Sequence, residues 1–141
     1  MRTYLVVAHR TLVGPALVDH VRTLGRPDEV HLHLVVPVRH PPDHAWSDGE
    51  VEAAARDRLD EGRSAFRALG FEVTGEVGDA NPVYAVTTAL RRASPPPEGV
   101  IVSTLPAHVS RWLHLDVVSR LRREIDLPVI HVEARDAQVP S

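Results

Sequence analysis

The sequence predicts an open α/β domain in which five parallel strands form a doubly wound sheet with helices on both faces. Three observations carry this reading. Short apolar runs rich in Val, Ile and Leu recur without in-out alternation, as strands covered on both faces require. Between them lie stretches with apolar residues at helical spacing, long enough for right-handed crossovers. The strands run out into Pro, Gly or small polar residues, where the chain must turn.

Composition narrows the possibilities. With 141 residues, 43% hydrophobic and 25% charged, the chain can bury about two thirds of its unfolded surface in one core. One domain over 1–136 is expected, with 137–141 a frayed tail. The net charge is -3 and the basic residues, all Arg, are scattered with no more than two adjacent, which argues against nucleic acid. The absence of Cys excludes disulfides and thiolate metal sites. The first apolar run is too short for a signal peptide, and no run approaches the ~20 residues of a membrane helix. A cytoplasmic location is expected.

The elements follow in order. Tyr4 to Ala8 is a continuous apolar strand. Pro15 suits a first helical turn, and Val13, Leu17, Val21 and Leu24 keep helical spacing as far as Gly25, whose missing Cβ suits a helix end. Val30 to Val36 is the second strand, closed by Pro37. Residues 37–49 form a long loop, and Ser47 with Glu50 has the form of a capping box. Val51, Ala55, Leu59, Gly62, Phe66 and Leu69 then mark the inner side of helix two, ended by Gly70. Phe71 to Val77 alternates and is more polar, so it belongs near an edge. In Gly78-Asp79-Ala80-Asn81-Pro82, Gly permits an unusual backbone angle, Asn81 can cap, and Pro82 opens helix three, with Val83, Val86 and Leu90 inward. After a Pro-rich break, Val100 to Ser103 is strand four. Val117, Leu121 and Ile125 line helix four, and Val129 to Val132 is strand five.

The stretch from Val100 to Val117 organises the rest. Thr104 to Pro106 stop strand four, because Pro106 has no amide to give a sheet. The chain therefore turns at a strand's carboxyl end, where open α/β sheets hold ligands.

In its order of elements the chain resembles the universal stress proteins over almost its whole length. The likeness rests on Val6-Val7-Ala8, on Gly78-Asp79-Ala80-Asn81-Pro82, on Val100 to Thr104, and on Leu127 to Val132. The resemblance implies the strand order 3-2-1-4-5 and pairing of two copies through the last strand, here Val129, Ile130, His131 and Val132. One branch of the family binds ATP through G-x2-G-x9-G-[ST] after strand four. That spacing places the three glycines at Ser103, Pro106 and Asp116 and the hydroxyl at Val117, and every signature residue differs. Pro106 removes an amide and Asp116 adds a carboxylate. Asp116 also precedes helix four and can cap its first amides itself, leaving little for a triphosphate. The acidic residue many members carry after strand one corresponds to the region of His9. ATP is therefore disfavoured and no cofactor is assigned.

The residues that could line the crevice are Ala8, His9 and Arg10 after strand one, Val36 in strand two, Gly78 and Asp79 after strand three, and Ser103, Thr104, Pro106, His108, Ser110, Arg111 and Asp116 around strand four. Arg10 and Arg111 could clamp an anion, with His9 or His108 carrying a proton. Equally, Arg111 could pair with Asp116 and Asp79 while the histidines are polar strand ends. His40 and His44 have a helical ligand spacing, but Pro41 and Pro42 make this a loop and no zinc pattern is completed. His31 and His33 share a face at the start of strand two, which places them at the sheet's rim. Trp46 and Trp112 could stack on a base or pin loops to the domain. No Ser-His-Asp order, nucleophile elbow or P-loop is present, so an enzyme has no positive support. The sequence points to a domain binding a small ligand or a partner. The rivals are a nucleotide-binding sensor or hydrolase with a crevice loop rebuilt from His108, Ser110 and Arg111, and a metal- or histidine-assisted enzyme at the same place.

Overall fold

The computed structural model describes residues 1–8, 14–39, 45–106, 110, 112 and 115–134. Its elements are β1 (Arg2–Ala8), α1 (Pro15–Arg22), β2 (Val30–Pro37), α2 (Asp48–Ala68), β3 (Glu72–Gly78), α3 (Pro82–Arg92), β4 (Gly99–Thr104), α4 (Val117–Glu124) and β5 (Val129–Glu133), with a 3-10 turn over Pro27–Glu29. All the strand pairs are parallel, and the sheet runs β3-β2-β1-β4-β5. β1 lies in the middle because Leu5, Val6, Val7 and Ala8 are all apolar and all buried. β3, with Glu72, Thr74 and Glu76, takes an edge, as its polarity predicts.

The helix ends obey local chemistry. The Ser47 hydroxyl accepts from the Glu50 amide at 3.1 Å, and the Glu50 carboxylate accepts from the Ser47 amide at 3.1 Å, so two otherwise unpaired donors are satisfied together. Gly70 follows α2 at φ 98°, a conformation that L side chains avoid. Phe71 then turns back to meet Phe66 edge-on, with ring centroids 6.3 Å apart.

Strand alternation sends side chains to two cores. Val6, Leu32, Leu34 and Ile101 pack beneath α1 and α2 with Leu17, Val21, Leu59 and Phe66. Leu5, Val7, Val100 and Val102 pack beneath α3 and α4 with Val86, Val118 and Leu121. Each fully buried Leu, Ile or Val contributes about 1.5–3 kcal/mol, so both helix layers are held by the sheet rather than by their own propensity.

Three expectations change. Thr104 does not stop β4; it is its last paired residue, opposite Glu133. Gly78 is required for closeness and not for an unusual angle: a Cβ there would lie 2.8 Å from the Ala85 Cβ and 3.3 Å from Val35 Cγ1, so its absence lets α3 approach the sheet. Asp116 precedes α4 as expected, yet its carboxylate makes no cap hydrogen bond.

Candidate functional site

β1 and β4 are neighbours whose next elements leave on opposite sides of the sheet, since the chain passes from β1 to β2 on one side and from β4 to β5 on the other. Their carboxyl ends meet at Ala8 opposite Ser103, which is the switch point where such sheets hold ligands. On the β2 side Pro37 stands opposite Gly78, and the Val38 amide donates to the Gly78 carbonyl at 3.1 Å. Ala8, Val36, Gly78 and Ser103 therefore share one end of the sheet. Ala8 and Val36 belong to the core beneath α1 and α2.

The β4 side of this end is packed. Thr104 is 2% exposed and Ser110 0%, and Pro106 is buried as well. The Thr104 hydroxyl lies 2.8 Å from His131 Nε2 on β5, a bond that satisfies a hydroxyl otherwise costly to bury. Burial holds the His131 imidazole below its ordinary pKa; Glu133 opposes that shift and Arg122 adds to it. A neutral ring is thereby favoured beside Thr104. Trp112, 6% exposed, belongs to the core beneath α3 and α4, so its side chain is taken up in packing. Trp46 is half-buried.

Asp79 and Asn81 serve the turn into α3. The Asp79 carboxylate accepts from the Asn81 amide at 2.9 Å, and Asn81 Oδ1 accepts from the Val83 amide at 3.0 Å and the Tyr84 amide at 3.3 Å. Asp116 is the one non-glycine residue with positive φ among the described residues, at φ 58° and ψ 38°. It thus keeps a backbone shape that glycine adopts freely at the position where the ATP motif has its third glycine. His9, Arg10, His108 and Arg111 lie outside the described residues, as do His40, His44 and residues 135–141.

Sequence reasoning missed two polar groupings. At the end of β2, Arg58 of α2 donates to the Pro37 carbonyl at 3.2 Å; burial lowers its pKa, and Arg39 adds to the effect. At the opposite end of the sheet, His31 and His33 meet Thr74, Glu76 and Arg92 in a cleft of about 340 Å³. Its only sequence signal was the shared face of the two histidines, because its other members come from β3 and α3. A more open cleft of about 660 Å³ runs between α3 and α4, with Tyr84, Arg91, Arg120 and Glu124 on its walls.

No family model matches the chain, and no curated protein matches it. Among solved structures, a universal stress protein in complex with cAMP superposes with a TM-score of 0.62 at 12% identity, over 95% of this chain and 98% of that one. A protein from the universal stress protein family from Burkholderia pseudomallei gives 0.55 at 14% identity, over 92% and 94%. The chain has the universal stress protein fold. The strand order that the resemblance implied is thus the order observed. Shared fold alone does not transfer an activity, and among the described residues no helix is long and apolar enough to cross a membrane.

Proposed function

We propose that this chain is a stress-protein-like binding domain that takes a small ligand or a protein partner and does not hold ATP in the glycine-loop manner. The observation that supports it most is the state of the β4 end: Pro106 and Ser110 are buried and Asp116 adds a carboxylate where a phosphate would need bare, converging amides. Among the described residues of this end, the Thr104 hydroxyl is engaged by His131. The test is thermal melting with Mg-ATP, since any ligand of the native state raises Tm. No shift at millimolar Mg-ATP is expected; a shift of several degrees sinks the reading.

A nucleotide-binding role is the second reading, and one observation favours it. Asp116 adopts the glycine-like left-handed backbone without capping the first amides of α4, so those donors are not taken by its carboxylate. A similar fold carries cAMP in another protein. Including cAMP in the melting series separates the two readings, because the loop that refuses a triphosphate need not refuse a cyclic monophosphate.

The binding domain acts as a homodimer joined through β5. β5 is an edge of the sheet, so its outward backbone groups are open to pairing, and a two-fold axis lets two copies satisfy each other. Ile130 and His131 are half-buried on this strand. Light scattering is expected to give twice the chain mass; removing the His131 backbone donor, which faces away from β4, by His131→Pro should halve it, and a wild-type monomer contradicts the proposal.

A further inference from the structure

The cleft at the amino-terminal end of the strands holds an arrangement that the crevice reading does not use. Alternation on β2 sends His31 and His33 to the α3 side of the sheet, where Thr74 of β3 faces them across the parallel pairing His33↔Thr74. Their inner nitrogens converge on one atom: His31 Nε2 is 2.8 Å and His33 Nδ1 is 2.7 Å from the Thr74 hydroxyl oxygen. Their outer nitrogens meet carboxylates, with His31 Nδ1 3.9 Å from Glu72 and His33 Nε2 3.8 Å from Glu76. Glu76 is itself steadied by Arg92 at 3.1 Å.

A hydroxyl has one proton and two lone pairs, so it can donate to only one of the two imidazoles, and the other ring must then present an N–H to it. A cation at the same point places no such demand, because each ring offers a lone pair inward and turns its N–H outward. That outward N–H then faces a carboxylate, the companion that metal-bound imidazoles ordinarily have. Glu72 and Glu76 together outweigh Arg92 by one negative charge, which favours a cation.

We propose that His31 and His33 form a two-imidazole site for a divalent transition-metal ion of the zinc and copper class, centred where the Thr74 hydroxyl stands, with Glu72 and Glu76 orienting the rings. Imidazole ligands select these ions over magnesium or calcium, which prefer oxygen. Metal–nitrogen bonds of about 2.0–2.1 Å require each ring to move inward by roughly 0.7 Å, a small side-chain rotation for rings that are about a quarter exposed, at 26% and 29%. Thr74 is exposed and can turn its hydroxyl aside or remain as a weak oxygen ligand. Among the described residues no group of three metal-binding side chains converges, so the remaining positions open on the cleft and take water. The site is therefore weaker than a four-ligand structural zinc and stays accessible to an added ligand.

The experiment is a calorimetric titration of the chelator-stripped full chain with zinc alone, paired with NMR of the histidine rings. One zinc is expected to bind, moving the ring signals of His31 and His33. His31→Gln and His33→Gln should each weaken it by at least about tenfold. The double change His40→Ala with His44→Ala should leave it within about threefold. The ring signals of the wild-type protein keep the proposal testable should a variant fold poorly. No zinc-induced movement of the His31 and His33 signals at millimolar zinc overturns the proposal, and so does binding that both glutamine variants leave within threefold.

Discussion

The two ends of the sheet have divided their chemistry in a way the fold alone does not suggest. At the carboxyl end, where open α/β sheets hold ligands, Thr104, Pro106, Ser110 and Trp112 are buried and committed to packing. At the amino end, two imidazoles, a carboxylate and a guanidinium line a cleft with partly exposed side chains. Position in the fold therefore marks where a site could be, while burial and partners mark whether its groups remain available.

Substitutions can break this contrast. The largest expected effect is at Trp112: if the crevice loop is pinned by packing, Trp112→Ala should lower stability by about 3–5 kcal/mol in urea denaturation. A loss below about 1 kcal/mol would mean that Trp112 is held for a ligand instead. The two threonines sharpen the comparison next. Thr104→Val removes the partner of His131 from a buried site and should cost about 1–3 kcal/mol, whereas Thr74→Val, at an exposed hydroxyl, should cost less than about 1 kcal/mol. Equal losses in parallel melts would erase the distinction between the ends. At Asp116, Asp116→Gly relieves a left-handed backbone and should stabilise the protein by up to about 1 kcal/mol; a destabilisation would assign the carboxylate a structural bond.

Acidity gives the smallest and most local test. His131 is held below its ordinary pKa by burial, so the native state binds fewer protons than the unfolded chain between the folded value and about 6.5. Stability must therefore rise with pH through that window, fall on acidification through it, and change no further from this group on either side. Denaturation at pH 7.5 and pH 5.5 should show a larger acid loss in the wild type than in His131→Gln. An equal loss in both would mean that the ring near Thr104 titrates as if free.

Most of the fold was legible in the sequence. The Ser47–Glu50 box, the Asn81 cap, the inner rhythm of α2 and the apolar run of β1 are local patterns, and each led to the element observed. The crevice was legible only in outline. Ala8, Val36, Gly78 and Ser103 lie at the carboxyl end of the sheet, but nothing in Pro106 or Ser110 announced that they would be buried. The left-handed backbone of Asp116, with its carboxylate off the helix amides, ran against the ordinary behaviour of an acidic residue at that position.

Periodicity, caps and breakers act within one or two turns of the chain, so the sequence by itself determined the succession of strands and helices and which face of each is apolar. The side-by-side order of the strands, in this chain first indicated by resemblance, was decided in three dimensions, because a crossover does not say on which side of the sheet its strand will dock. The same cause hid the histidine cluster. Thr74 lies 43 and 41 residues from His31 and His33, and only the pairing of β2 with β3 brings the three side chains to a common point.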